Sequence, residues 1–220
     1  MDIWQTIIDW LHRAGLHVDP STAEAVGHAA DQIGDVAAKA GNAVGQMDMG
    51  SMLALAAALG WASGFRLYAV VFVVGLLGAT GVMPLPGGLG VLSHPMVLVI
   101  SGGLLFVEFF ADKIPLVDSA WDMFQSVLRI PAGAALAAMV FGADNATMAT
   151  AAALMGGTLA ATSQAAKTTT RALINTSPEP FSNVGASLAE DTVSVGAIWL
   201  ALANPLVFGG VLLVVVIVMW

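Results

Sequence analysis

Six stretches of this chain, about residues 52–80, 95–112, 118–142, 146–170, 183–203 and 204–220, are apolar for most of their length. Each approaches the roughly 20 residues that carry an α-helix across a hydrocarbon core about 30 Å thick. Only helices or closed barrels satisfy every backbone N–H and C=O in lipid, and runs of this length fit helices. The composition agrees, since the 220 residues are 58% hydrophobic and 10% charged against roughly a quarter charged in a soluble domain. The sequence therefore predicts an all-α, polytopic membrane protein with about six transmembrane helices in residues 51–220, preceded by a helical extension over residues 1–50. The last two segments are separated by Asn204 and Pro205 alone, a pair that also fits a kink in one long helix, because Pro removes a backbone donor and disfavours helix in the residue before it.

Several function classes drop out early. The chain has no Cys, which removes disulfides, thiolate metal sites and a cysteine nucleophile. His12, His17, His28 and His94 show no ligand spacing, so neither a metal nor a cofactor is expected. The formal charge is −8, with seven acids against two bases in residues 1–50; a nucleic-acid partner would need basic patches. No HExxH or GxSxG motif occurs, and the chain is not expected to be an enzyme. The start, MDIWQTIIDW, lacks the basic region and continuous apolar core of a signal peptide and is expected to be retained.

The extension reads as two helices. Ile3, Trp4, Ile7, Ile8 and Leu11 share one face, suited either to the membrane interface or to packing on the protein itself. Pro20, Ser21 and Glu24 open a second helix with capping-box spacing. Along it, Ala23, Val26, Ala30, Ile33, Ala37, Ala40 and Val44 alternate steps of three and four, and Gly27, Gly34 and Gly41 recur every seven residues. That seam predicts a homo-oligomer, or a membrane-protein partner, held through residues 21–46; intrachain docking is the other reading.

Two short strings match, AAALG at 56–60 and AAALMG at 151–156, and in each half a Gly precedes a Glu by five residues, Gly103 with Glu108 and Gly185 with Glu190. Units of three crossings would stand in opposite orientation, which makes a 3+3 inverted repeat, the plan of many secondary transporters. Placing Lys113, Lys167 and Arg171 in the cytoplasm puts both termini inside, in a cytoplasmic (inner) membrane.

The charges inside the apolar runs define the candidate site. Glu108 and Asp112 lie four apart on one helix face. Asp112 and Lys113 fit the interface, with Lys113 snorkelling to headgroups, whereas Glu108 is a turn deeper, beside Phe109 and Phe110. Asp118 and Asp122 fit a solvated amphipathic turn, but Arg129 continues their stripe through Gln125 to a depth that calls for a carboxylate. Arg66 stands near the middle of the first span, two residues after a Gly60–Gly64 pair, so either the helix breaks near Gly64 or Arg66 is buried against Glu108 or Glu190. Lys167 and Arg171 share the fourth span with Gln164 and Thr168. The loop NTSPEPFSN holds Asn175, Ser182 and Asn183, the last two as caps for a helix that carries Glu190 and Asp191 two turns in. An ionised side chain at the bilayer centre costs about 2.5–3.5 kcal/mol on insertion scales, so these groups should meet one another.

The strings GWASGFRLYAV, EFFADKIPLVDSAWD, RIPAG and RALINTSPEPFSNVGASLAED resemble the bacterial integral membrane family known as domain of unknown function 4126, over about residues 52–205. The resemblance implies membrane location and supplies no activity, so no functional residue is carried over from it. Function is read from the charges: a transporter or channel for a small ion or polar solute, or a structural and assembly subunit in which ion pairs fix helix register. Water access to Glu108 or Glu190 separates the two.

Overall fold

A computed structural model of the chain describes residues 13, 19, 24, 27, 28, 47–112, 114, 117–174, 176 and 180–219. The amphipathic face at residues 2–11, nearly all of the 21–46 seam, Lys113 and Asn175 lie outside the described residues. Among the described residues the fold is all-helical. Its six α-helices are α1 (Met49–Ala79), α2 (Pro95–Ala111), α3 (Val117–Met139), α4 (Ala146–Ile174), α5 (Pro180–Ala203) and α6 (Pro205–Met219), with short 3-10 turns at Gly87–Ser93 and Ala143–Asn145. A helix thus stands at each of the six apolar stretches.

Local chemistry sets the boundaries. The Asp48 side chain accepts from the Ser51 backbone N–H at 2.7 Å and opens α1, satisfying one of the donors that a helix start leaves free. Before α2, His94 Nδ1 accepts from Met96 N at 3.2 Å, and Pro95 takes the first helical position, where its missing N–H costs nothing. Asn145 Oδ1 accepts from Met148 N at 3.2 Å at the start of α4. Gly142 turns the chain between α3 and α4 at φ 66°, backbone that L side chains rarely adopt. Asn204 is non-helical, so α5 and α6 are two helices, and the Pro205 signal marks a break.

The helix α1 is the hub, packed against every other α-helix, and α3 pairs most extensively with α4. Its buried side includes Leu55, Leu59, Val70 and Val74, which join Leu136 of α3, Val140 just after it and Ala152 of α4 in one apolar cluster. Close approach depends on small residues. A Cβ added to Gly60 would lie 2.5 Å from Gly156 Cα and 2.7 Å from Gly156 O, so α1 and α4 touch backbone to backbone. These are the glycines that end AAALG and AAALMG.

By length and composition, α1 is long and apolar enough to cross a membrane. Two bent pairs pass the same criterion together, Gly87–Ser93 with Pro95–Ala111 at 73° and Ala120–Met139 with Ala143–Ile174 at 94°. The expected six independent spans are not met by each helix alone: among the described residues one helix qualifies, or up to three spans if each bent pair is one, and α2 and α6, with 17 and 15 residues, are shorter than a bilayer crossing needs.

The exposed cap at Asp48 gives a first prediction. The Ser51 backbone N–H, and then its hydroxyl, hold the Asp48 carboxyl below its usual range. A depressed carboxylate stabilises its partner conformation above the unfolded value, and that contribution is lost as pH falls through the folded value. The Ser51 amide resonance is expected to titrate with a midpoint below that of free aspartate, and Asp48→Ala should abolish the transition; an unchanged titration in Asp48→Ala would refute the cap.

Candidate functional site, a buried charge cluster

The deepest side chains of the fold are charged. Arg66, Arg129, Glu108 and Asp112 are all 0% exposed, and Lys167 and Arg171 are 1% exposed. Four helices and the end of α2 bring them together: Arg66 comes from α1, Glu108 and Asp112 from the last turn of α2 and its cap, Asp122 and Arg129 from α3, Lys167 and Arg171 from α4, and Glu190 and Asp191 from α5.

Arg66 reaches this position because the helix breaks at it. Its backbone adopts φ −141°, ψ 73° inside an otherwise helical α1. Beside the break the Phe65 carbonyl accepts from Lys167 Nζ at 3.2 Å, and one turn earlier the Trp61 carbonyl accepts from Ser163 Oγ at 2.7 Å. Both alternatives drawn from the sequence therefore hold together: the helix is broken, and the guanidinium is buried. Of the two acids expected for it, Glu190 is a partner and Glu108 is not, and Asp112 and Asp191 join it. Arg66 Nη1 pairs with Asp112 Oδ2, Nε with Asp191 Oδ1 at 2.9 Å and Glu190 Oε2 at 3.9 Å, and Nη2 donates to Ser187 Oγ at 2.7 Å.

Around Arg129 a second centre forms. Arg129 Nη2 donates to Glu108 Oε1 at 2.6 Å and to Gln125 Oε1 at 2.7 Å, while Nη1 donates to Asp122 Oδ1 at 2.9 Å and to Gln164 Oε1 at 2.8 Å. The planar guanidinium thus uses its fork on two carboxylates and two amides, a geometry lysine does not offer. The stripe Asp122, Gln125, Arg129 turns inward as a unit.

Lys167 joins the two centres. Its ammonium lies 3.0 Å from Asp122 Oδ1, 3.3 Å from Glu190 Oε2 and 3.6 Å from Asp112 Oδ2. Arg171 grips both oxygens of Glu190 at 3.1 Å and donates from Nη1 to the Asp112 carbonyl at 3.1 Å. That last contact also neutralises the partial negative charge at the C-terminal end of α2.

Three sequence expectations need correction. Asp112 is buried in the cluster and not exposed at a helix end, because three bases, Arg66, Lys167 and Arg171, converge on it. Asp122 is not solvated, because Arg129 and Lys167 enclose it. Lys167 and Arg171, used as loop charges to orient the chain, are core residues. Ser182 lies exposed in the first turn of α5, and the side chain of Asn183 lies outside the described residues. Gln125, Gln164 and Ser187 join the site without having been singled out as members. For two of them the signal was present, since Gln125 lies on the stripe of Arg129 and Gln164 on the face of Arg171; Ser187 carries none, because a hydroxyl in an apolar run costs too little to attract notice.

Chemically the cluster can hold charge away from hydrocarbon, bind a small ion or proton at its carboxylates, or fix five elements in one register. Among the described residues no group of three or more His, Cys, Asp or Glu is arranged to hold a metal ion. No protein of curated function and no solved structure matches the chain. Residues 53–220 match the family described as domain of unknown function (DUF4126), and the chain belongs to that family.

Proposed function

We propose that this is an integral protein of the cytoplasmic membrane in which α1–α6 cross or enter the bilayer and the charge cluster handles a small ion or polar solute, as a transporter or channel. The observation that carries this reading is the inverted polarity of the bundle. Four bases and five acids pack at its centre, while bulky apolar side chains face outward, among them Val99 at 75%, Met123 at 74%, Val127 at 75% and Leu206 at 87% exposure. Monomers in water rarely leave a contiguous apolar surface of that kind, and in lipid it is the favourable arrangement. Intramembrane ionisable residues commonly mark ion pathways, and a discontinuous helix beside them, as at Arg66, is a recurrent feature of transporter sites.

The Gly60–Gly156 contact between matching strings favours a 3+3 inverted repeat with α1 and α4 as its paired first helices. Self-association through residues 21–46 completes the proposal, and no catalytic chemistry is assigned.

A second reading, a structural or assembly subunit, draws on the near-complete burial of the pairs, since dry ion pairs serve to specify register. Reconstituted flux separates the two. Proteoliposomes scanned over protons, common cations and common anions are expected to show a flux that falls to the level of empty liposomes in Glu108→Gln and Glu190→Gln. Wild-type protein that is folded and yet passes none of these species would support the structural reading.

A further inference from the structure

The carboxylates of the cluster are unequally served. Asp112 and Glu190 each face three bases, Arg66, Lys167 and Arg171. Asp122 faces two, Arg129 and Lys167. Asp191 pairs with Arg66, and its side chain is 30% exposed, so water reaches it. Glu108 differs from all of these. It is fully buried, and among the described residues one base pairs with it, Arg129 through Oε1, which is shared with Asp122. Its other oxygen, Oε2, is buried without a hydrogen-bond partner among the described residues; Asp112 Oδ1 and Asp122 Oδ2 are buried in the same way, but their carboxylates face three bases and two bases.

An ionised carboxylate in that position would leave a charged acceptor dry and unpaired, the costliest state for a buried oxygen. Taking the intramembrane reading of the cluster as its premise, we propose that Glu108 binds a proton on Oε2 at neutral pH and that the proton is the small ion this site takes up. Protonation converts the carboxylate to a neutral acid, turns the unpaired acceptor into a donor, and leaves Oε1 to accept from Arg129. It also brings the described cluster from five negative charges against four positive ones to a balance. The charged and titratable groups around Glu108 are Arg66 and Tyr68 from α1, Asp112 at the end of α2, Asp122 and Arg129 from α3 and Lys167 from α4. Lys167 lies between the two centres, so release of the Glu108 proton would draw its ammonium toward Asp122 and away from Glu190, which couples the proton to the contact between α4 and α5.

Infrared difference spectroscopy on the full chain in lipid nanodiscs tests this directly. At neutral pH the wild-type protein is expected to show the carbonyl stretch of a buried protonated carboxylic acid, shifted in deuterated buffer and unchanged when sodium replaces potassium. Glu108→Gln, which copies the shape of the neutral acid, should lose that band; Asp144→Asn, at an exposed position, should keep it. The wild-type spectrum alone decides if Glu108→Gln fails to fold: absence of the band overturns the proposal. Persistence of the band in folded Glu108→Gln, or its disappearance on adding sodium or potassium at fixed pH, overturns it as well. The band with no flux of any kind would sink the transport reading and keep the proton; flux without the band would do the reverse.

Discussion

Arg129→Ala is expected to lower the unfolding free energy by about 3–5 kcal/mol, the cost of removing one partner from a buried ion pair. The guanidinium is 0% exposed and, among the described residues, is the sole base paired with Glu108 while sharing Asp122 with Lys167. Truncation leaves the Glu108 carboxyl and two amides without their donor, and Asp122 with one base fewer, in surroundings that water does not reach. The loss should be read from denaturant unfolding in mixed micelles, where the shift in midpoint reports stability if the slope is unchanged. A triple variant, Glu108→Gln with Asp122→Asn and Arg129→Met, removes charge from both sides and should recover much of the deficit, because neutral replacement of a whole buried pair is often nearly without cost. A loss below about 1 kcal/mol for Arg129→Ala, typical of exposed pairs, would show that water enters this centre freely.

The second large effect is steric. A methyl group at Gly60 would fall 2.5 Å from the Cα and 2.7 Å from the carbonyl oxygen of Gly156, and backbone on both sides cannot rotate away as a side chain could. Gly60→Ala should therefore destabilise by about 1–3 kcal/mol through overpacking, despite the better helix propensity of Ala. Gly60→Leu should prevent the native α1–α4 crossing altogether. The same crossing sets the reach from α4 to the break in α1, so the bond from Lys167 Nζ to the Phe65 carbonyl, 3.2 Å in the native packing, would lengthen with it. Gly210→Ala is the control: nothing lies within 4 Å of the added methyl, and propensity alone should raise stability by up to about 1 kcal/mol. Thermal aggregation midpoints of the three variants in one detergent rank these effects, and a neutral Gly60→Ala would mean that the two helices stand farther apart.

How much of this was readable before any coordinates is clearest in particular residues. Helix positions followed from apolar length, and Asn204 with Pro205 stood at the junction of the last two; the roles of Asp48, Pro95 and Asn145 in opening or capping other helices came only with the structure. The i, i+4 spacing of Glu108 and Asp112, and the stripe of Asp122, Gln125 and Arg129, placed those groups on common faces, and Arg66 was conspicuous because a long apolar run surrounded it. Pairing was a different matter. Arg66 meets Asp112 and Asp191, Glu108 meets Arg129, and Asp122, which fits a solvated turn by its position in the sequence, is enclosed.

The amino-acid order by itself determined that this chain makes helices, where they start, and that charges inside apolar runs must be compensated, because those are consequences of backbone hydrogen bonding and of hydrophobic length along one strand of covalent structure. Only the tertiary structure decided which carboxylate answers which base. That choice depends on the helix break at Arg66, on the depth to which Gly60 and Gly156 let two backbones approach, and on Lys167 lying within 3.6 Å of acids from three different elements. Coulomb energy between buried charges varies inversely with separation, and separation across a bundle is fixed by packing.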